Sequence, residues 1–131
     1  MVVLYRTVHH NPPTREDFRS GKELDVPKPS ARKERFWLGF SAYDSFEKAN
    51  ATAVAYPHQG SFIAEFIVPD ASVVILADET FTLPLAGSIT IARSFAVGHW
   101  TVWGEPEFFV SLVTRVIPVR RKEHGDHAGT L

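Results

Sequence analysis

Apolar residues in this chain come in short runs broken by proline and glycine, and this pattern limits the fold more than any other feature. "VVLYRTV" (Val2 to Val8), "FWLGFSAY" (Phe36 to Tyr43), "GSFIAEFIVPD", "SVVILA", "HWTVWG" and "EFFVSLVTRVIPV" are rich in β-branched and aromatic residues, as strands require. Helical signals are fewer. "DSFEKANATAVAYP" has Asp44 as an N-cap, Glu47 to complete a capping box, and Phe46, Ala49 and Ala53 as a buried stripe ending before Pro57. "PPTREDFRSG" predicts a short helix with Thr14 as N-cap, Asp17 three residues on, and Gly21 as its stop. Strand, helix, strand and helix followed by several strands predict an α+β fold, with a mixed, mainly antiparallel sheet and few short helices.

The chain of 131 residues suits one domain, expected over residues 1–119. Polar, proline-bearing residues 22–35 predict an exposed, mobile loop, and residues 120–131 a flexible polar tail. The stretch from Asp78 to Phe95 reads as a loop or a weak hairpin. A net charge of −1 supplies no global field for nucleic acid or an anionic membrane, although Arg32, Lys33 and Arg35 form a local basic group. Cysteine is absent, which excludes disulfides and thiolate metal sites. No apolar run nears the roughly 20 residues that span a bilayer. The start, "MVVLYRTVHH", has no basic region of the signal-peptide kind. A cytoplasmic protein is expected, and a toxin domain cut from a larger secreted protein would look the same.

Several residues carry chemistry that a core does not need. In "WGEPEFFV", Glu105 and Glu107 flank Pro106 where an apolar run begins. Like charges there repel and lose solvation, so they either face water at a turn or are held for catalysis. Trp100 and Trp103 stand nearby, and strand alternation groups Glu107 with Phe109 and Ser111. Arg6 shares a face with Leu4 and Val8, so it needs either an ion-pair partner or a bidentate phosphate or carboxylate ligand. Ser41 stands at a strand end just before a helix, as a turn hydroxyl or a ligand contact, with the Tyr43 ring beside it. His9, His10 and His99 match no metal-site spacing, and His124 and His127 lie in the expected tail. Phosphate-loop, dinucleotide-fingerprint and nucleophile-elbow motifs are missing.

In order, "LYRTV", "FSAYDSFEKANA" and "GEPEFFVSLVTRVIPV" resemble the three motifs of the ADP-ribosyltransferase superfamily in its arginine–serine–glutamate form. The likeness runs from about Leu4 to Val119. It implies a split sheet with NAD, as substrate, in a cleft between two small sheets. It also implies Arg6 on the phosphates, Ser41 on the nicotinamide ribose, and Tyr43 or Trp37 stacked on the nicotinamide ring. Glu107 would face the oxocarbenium-like transition state, and Glu105 would orient or deprotonate the acceptor as a general base. The acceptor would be a protein side chain, a nucleic acid or water, and a bacterial toxin of this kind would meet an antitoxin or immunity protein. Where the family has Ser-Thr-Ser, this chain has Ser-Ala-Tyr.

Two other classes compete with an NAD-consuming enzyme. One is a non-catalytic domain that keeps the cleft for a nucleotide or a protein. The other is an accessory domain in which Trp100 and Trp103 form an interface patch.

Overall fold

The computed structural model describes residues 1–21, 23–24, 26–29, 34–69, 72–75, 88–93 and 96–121. Its strands are β1 (Val2–Val8), β2 (Phe40–Tyr43), β3 (Phe62–Val68), β4 (Ser72–Ile75), β5 (Thr90–Arg93), β6 (His99–Trp103) and β7 (Val113–Pro118). They form one seven-stranded sheet in the order β4-β5-β6-β2-β1-β3-β7. Only β4 and β5 run parallel; every other neighbouring pair is antiparallel. The expected α+β class with a mixed, mainly antiparallel sheet is therefore present.

The sheet is uneven at its centre. β1 pairs with β3 along its whole length, from Val2 opposite Val68 to Val8 opposite Phe62. On its other side β1 meets β2 at one register position, Tyr5 opposite Tyr43. Two well-laddered halves thus remain one sheet through a single junction, and the backbone on either side of that junction needs other partners.

Short helical segments cover the sheet: α1 (Glu34–Trp37), α2 (Phe46–Ala55), α3 (Pro106–Leu112), and 3₁₀ turns at Arg15–Phe18 and Pro57–Gln59. Four phenylalanines hold the first 3₁₀ turn and α3 to the strands. Phe18, Phe40 (β2), Phe66 (β3) and Phe109 (α3) lie with every pair of ring centroids 4.8–6.2 Å apart. Phe18, Phe66 and Phe109 are almost fully buried, and Leu4, Val8, Val68, Ile91 and Val102 extend the same core. Edge-to-face and offset packing of this kind adds to the transfer free energy of each ring.

Several local expectations are corrected. The last strand does not begin at Glu107, because residues 106–112 are helical and β7 starts only at Val113. Pro106 occupies the first helical position, where its missing N–H costs nothing, and Glu107 adds a carboxylate to the first turn. Helical spacing then buries Pro106 and Phe109 together, in place of the alternation that groups Glu107 with Phe109. "FWLGFSAY" is likewise divided, with α1 ending at Trp37 and β2 starting at Phe40. The N-cap of α2 is Ser45, whose Oγ accepts from the Lys48 N–H at 3.2 Å. Asp44 instead pairs with Lys48 Nζ at 3.2 Å and accepts from Trp100 Nε1 at 3.4 Å.

The helix expected around Asp17 is a single 3₁₀ turn, although the Thr14 N–H does donate to the Asp17 carboxylate at 3.0 Å. Gly21 is not its stop. A Cβ at Gly21 would lie 2.9 Å from Trp37 Cδ1, so this glycine permits a close approach to α1. The start of the expected tail is docked, since Arg120 N–H and C=O both bond the Asn50 side chain, at 2.7 and 2.8 Å. Arg32 and Lys33, the Arg35 side chain, most of the Asp78–Phe95 stretch, and His124 and His127 lie outside what is described. Among the described residues no helix is long and apolar enough to cross a membrane.

The ring cluster predicts a large local cost. Phe109→Ala should lower the unfolding free energy by about 3–5 kcal/mol, read from urea denaturation followed by tryptophan fluorescence. A loss below about 1 kcal/mol would show that α3 is not anchored through this ring.

Candidate functional site

A cleft of about 600 Å³ opens where β1 and β2 part. Arg6, Thr7, Phe40, Ser41 and Tyr43 line it from the strands, and Arg19, Leu24 and Val26 from the segment after the first 3₁₀ turn. Trp37 from α1 closes one side, tied to that segment by its Nε1 bond to the Val26 carbonyl at 2.8 Å. His9, His58 and Gln59 form another wall, and His9 Nε2 lies 2.9 Å from the His58 carbonyl.

Arg6 spans the gap itself. Its Nε donates to the Asp17 carbonyl at 2.6 Å and its Nη1 to the Ser41 carbonyl at 2.7 Å. The guanidinium also lies 4.7 Å from the centre of the Phe40 ring. The partner that an arginine on an apolar strand face needs is therefore backbone carbonyl and an aromatic face, not a paired carboxylate. A guanidinium has five N–H donors and these two bonds use two, which leaves three without a hydrogen bond among the described residues. Burial pushes its pKa down to about 10, against the pull of Asp17 and Tyr43, and it remains a cation at neutral pH.

Behind Arg6, the Asp17 side chain is only 1% exposed. It accepts from the His9 N–H at 2.7 Å and the Thr14 N–H at 3.0 Å, and its Oδ2 lies 2.9 Å from His10 Nδ1. A buried carboxylate held by backbone donors in this way is satisfied as an anion. Thr7 Oγ1 differs, being buried in the cleft lining without a hydrogen-bond partner among the described residues.

The structure thus brings together Arg6, Ser41, Tyr43 and Trp37, four residues that the sequence assigned to one ligand. It does not bring the carboxylates there. Glu105 and Glu107 are exposed and absent from the lining. Glu107 Oε1 accepts from Arg15 Nε at 2.7 Å. Its own backbone N–H and Arg15 hold its carboxyl below the usual carboxylate range. The pair joins α3 to the first 3₁₀ turn on the outside of the fold. Trp100 and Trp103 are buried, which removes the expected interface patch.

Two contributors were not assigned from sequence. His99 lies opposite Tyr43 across the β2–β6 ladder, with ring centroids 5.2 Å apart in a T-shaped contact. Burial lowers its pKa from 6.5, so the ring beside Tyr43 is neutral at physiological pH. The signal was present in the order of strands, since register alone makes His99 the neighbour of Tyr43. The His10–Asp17 pair is the other; it depends on the path of residues 9–17, which no periodicity encodes.

Comparison with family models, with curated proteins and with solved structures finds no match.

The lowered pKa of His99 fixes the sign of a pH effect. The unfolded chain takes up this proton first on acidification, so stability declines as pH falls from 6.5 toward the lowered folded value. Urea midpoints of the wild type should fall between pH 7.5 and 5.5, and His99→Gln should show a shallower fall. Equal slopes in the two proteins would contradict the burial of this ring.

Proposed function

We propose that this chain is a small NAD-consuming domain of the ADP-ribosyltransferase kind, binding NAD in the β1/β2 cleft and transferring ADP-ribose to an acceptor or to water. The observation that carries the reading is the convergence of Arg6, Ser41, Tyr43 and Trp37 on one cleft. The three spare donors of Arg6 suit a pyrophosphate. The exposed Ser41 offers a hydroxyl for a ribose, and the rings of Trp37 and Tyr43 offer faces for a flat heterocycle. The cleft volume of about 600 Å³ lies in the range of small-molecule sites. Such a cleft binds the dinucleotide, and the reaction breaks the bond between the ribose C1′ and the nicotinamide nitrogen. Nicotinamide leaves neutral with the bonding electrons, and the acceptor closes on the ribosyl cation.

A second reading, a domain that binds a nucleotide without turnover, is favoured by one observation. Both carboxylates stand outside the lining, and Glu107 is engaged by Arg15.

Nicotinamide release and quenching of tryptophan fluorescence by NAD separate the readings. Wild type should show both. Arg6→Gln should weaken NAD binding by at least about tenfold, as expected for a lost charge-assisted contact. Glu107→Gln should leave NAD affinity unchanged, because Glu107 does not line the cleft. Release that vanishes in Glu107→Gln at full affinity would show that catalysis depends on Glu107, directly or through the turn that Arg15 begins. Quenching without release in the wild type would establish the binding domain.

A further inference from the structure

Beside the main cleft lies a smaller hollow of about 150 Å³ that shares Arg6, Thr7, His9, Arg19, Leu24 and Gln59 with it. His10 and Asp17 line the hollow, together with Glu16. We infer that His10, held by Asp17, is the general base that deprotonates the acceptor, the role the sequence assigned to Glu105. The inference rests on the NAD-cleaving reading and adds its proton-transfer residue.

The geometry is that of a fixed imidazole. Asp17 is immobilised by two backbone N–H groups and aims Oδ2 at His10 Nδ1, 2.9 Å away. An ionised carboxylate accepts only, so the proton belongs on Nδ1 and the lone pair on Nε2. Thr14 Oγ1, 3.4 Å from Nδ1, adds a second polar neighbour on the same side of the ring. His10 Nε2 has no hydrogen bond among the described residues, and the side chain, 51% exposed overall, is part of the lining of the hollow.

The step balances simply. An acceptor O–H or N–H gives its proton to Nε2 as its heteroatom bonds to C1′ and the bond from C1′ to nicotinamide breaks. The imidazolium so formed lies against the Asp17 anion, which stabilises it, and it returns the proton to solvent after product leaves. The charged and titratable groups around the ring are Asp17 and Glu16 from the 3₁₀ turn, His9 and Arg6 from β1 and its end, and Arg19 beyond the turn.

The decisive variant is His10→Asn, whose amide N–H can keep the bond to Asp17 while the base is lost. Nicotinamide release from NAD would be followed in water and with agmatine as a small guanidine acceptor. Thermal melts and histidine nitrogen NMR would be recorded on the same proteins. We expect His10→Asn to melt like wild type and to lose about 10²–10⁴ in kcat with KM little changed. The acid limb of the pH profile should go with it, and wild-type His10 should appear as the Nδ1–H tautomer. Wild-type rates in His10→Asn would overturn the base while leaving the NAD reading intact. NAD binding without release in the wild type, with either acceptor, would overturn cleavage and the base together. An Nε2–H tautomer, or an acid limb that survives in His10→Asn, would make the pair structural only.

Discussion

Among the described residues, the candidate site is arranged around the Arg6 guanidinium in the gap between β1 and β2. Antiparallel neighbours normally satisfy each other's backbone groups, yet these two strands share one register position. The Ser41 carbonyl on β2 receives the Arg6 Nη1–H, and the Asp17 carbonyl on the 3₁₀ turn receives Nε–H. One side chain therefore connects three segments where a ladder would connect two. Burying a cation is expensive unless its donors are met. Here two are met by carbonyls and the π face by Phe40, while the donors left over face a cleft. The same residue is thus both the tie across the sheet and part of the cleft lining.

Asp17 extends that arrangement outward. Its backbone carbonyl holds Arg6, and its carboxylate holds the chain just after β1 through the His9 N–H and the His10 ring. The neighbouring Phe18 is 1% exposed within the ring cluster. A turn of four residues is anchored by an aromatic ring on one side and an anion on the other. This explains how so short a segment forms a fixed wall, although 3₁₀ geometry alone is weak.

How much of this was legible in the sequence follows from which signals are local. β-branched and aromatic content in "VVLYRTV" and "SFIAEFIV" identified β1 and β3, and apolar spacing with a proline stop identified α2. The family resemblance grouped Arg6, Ser41 and Tyr43 from its motifs with Trp37 as a stacking ring, and the fold does gather these four at one cleft. Failures occurred where one composition suits two periods. "EPEFFVSL" is apolar enough for a strand, but proline at the first helical position and packing of Phe109 among three other rings favour a helical turn. Moving residues 106–112 from strand to helix also takes Glu107 off the Phe109 face, and neither Glu107 nor the N-cap Glu105 lines the cleft. The N-cap error at α2 is smaller, because Asp44 and Ser45 both cap well and only the chain path out of β2 chooses between them.

Glu107 is distant from the lining but not unconnected to it. Arg15, its partner, begins the same 3₁₀ turn that supplies Asp17 and leads to Arg19 in the cleft wall. Phe109, two residues after Glu107, stacks on Phe18 of that turn with centroids 5.8 Å apart. α3 thus grips the turn twice, once through an apolar contact inside the core and once through an ion pair on the surface. The surface pair is exposed and adds little to stability by itself. Its geometry nevertheless fixes the outer end of the turn, and the inner end carries the carbonyl that holds Arg6 and the carboxylate that holds His10. A side chain in this position can alter a reaction in the cleft by setting where that turn sits, and need not touch the ligand to do so.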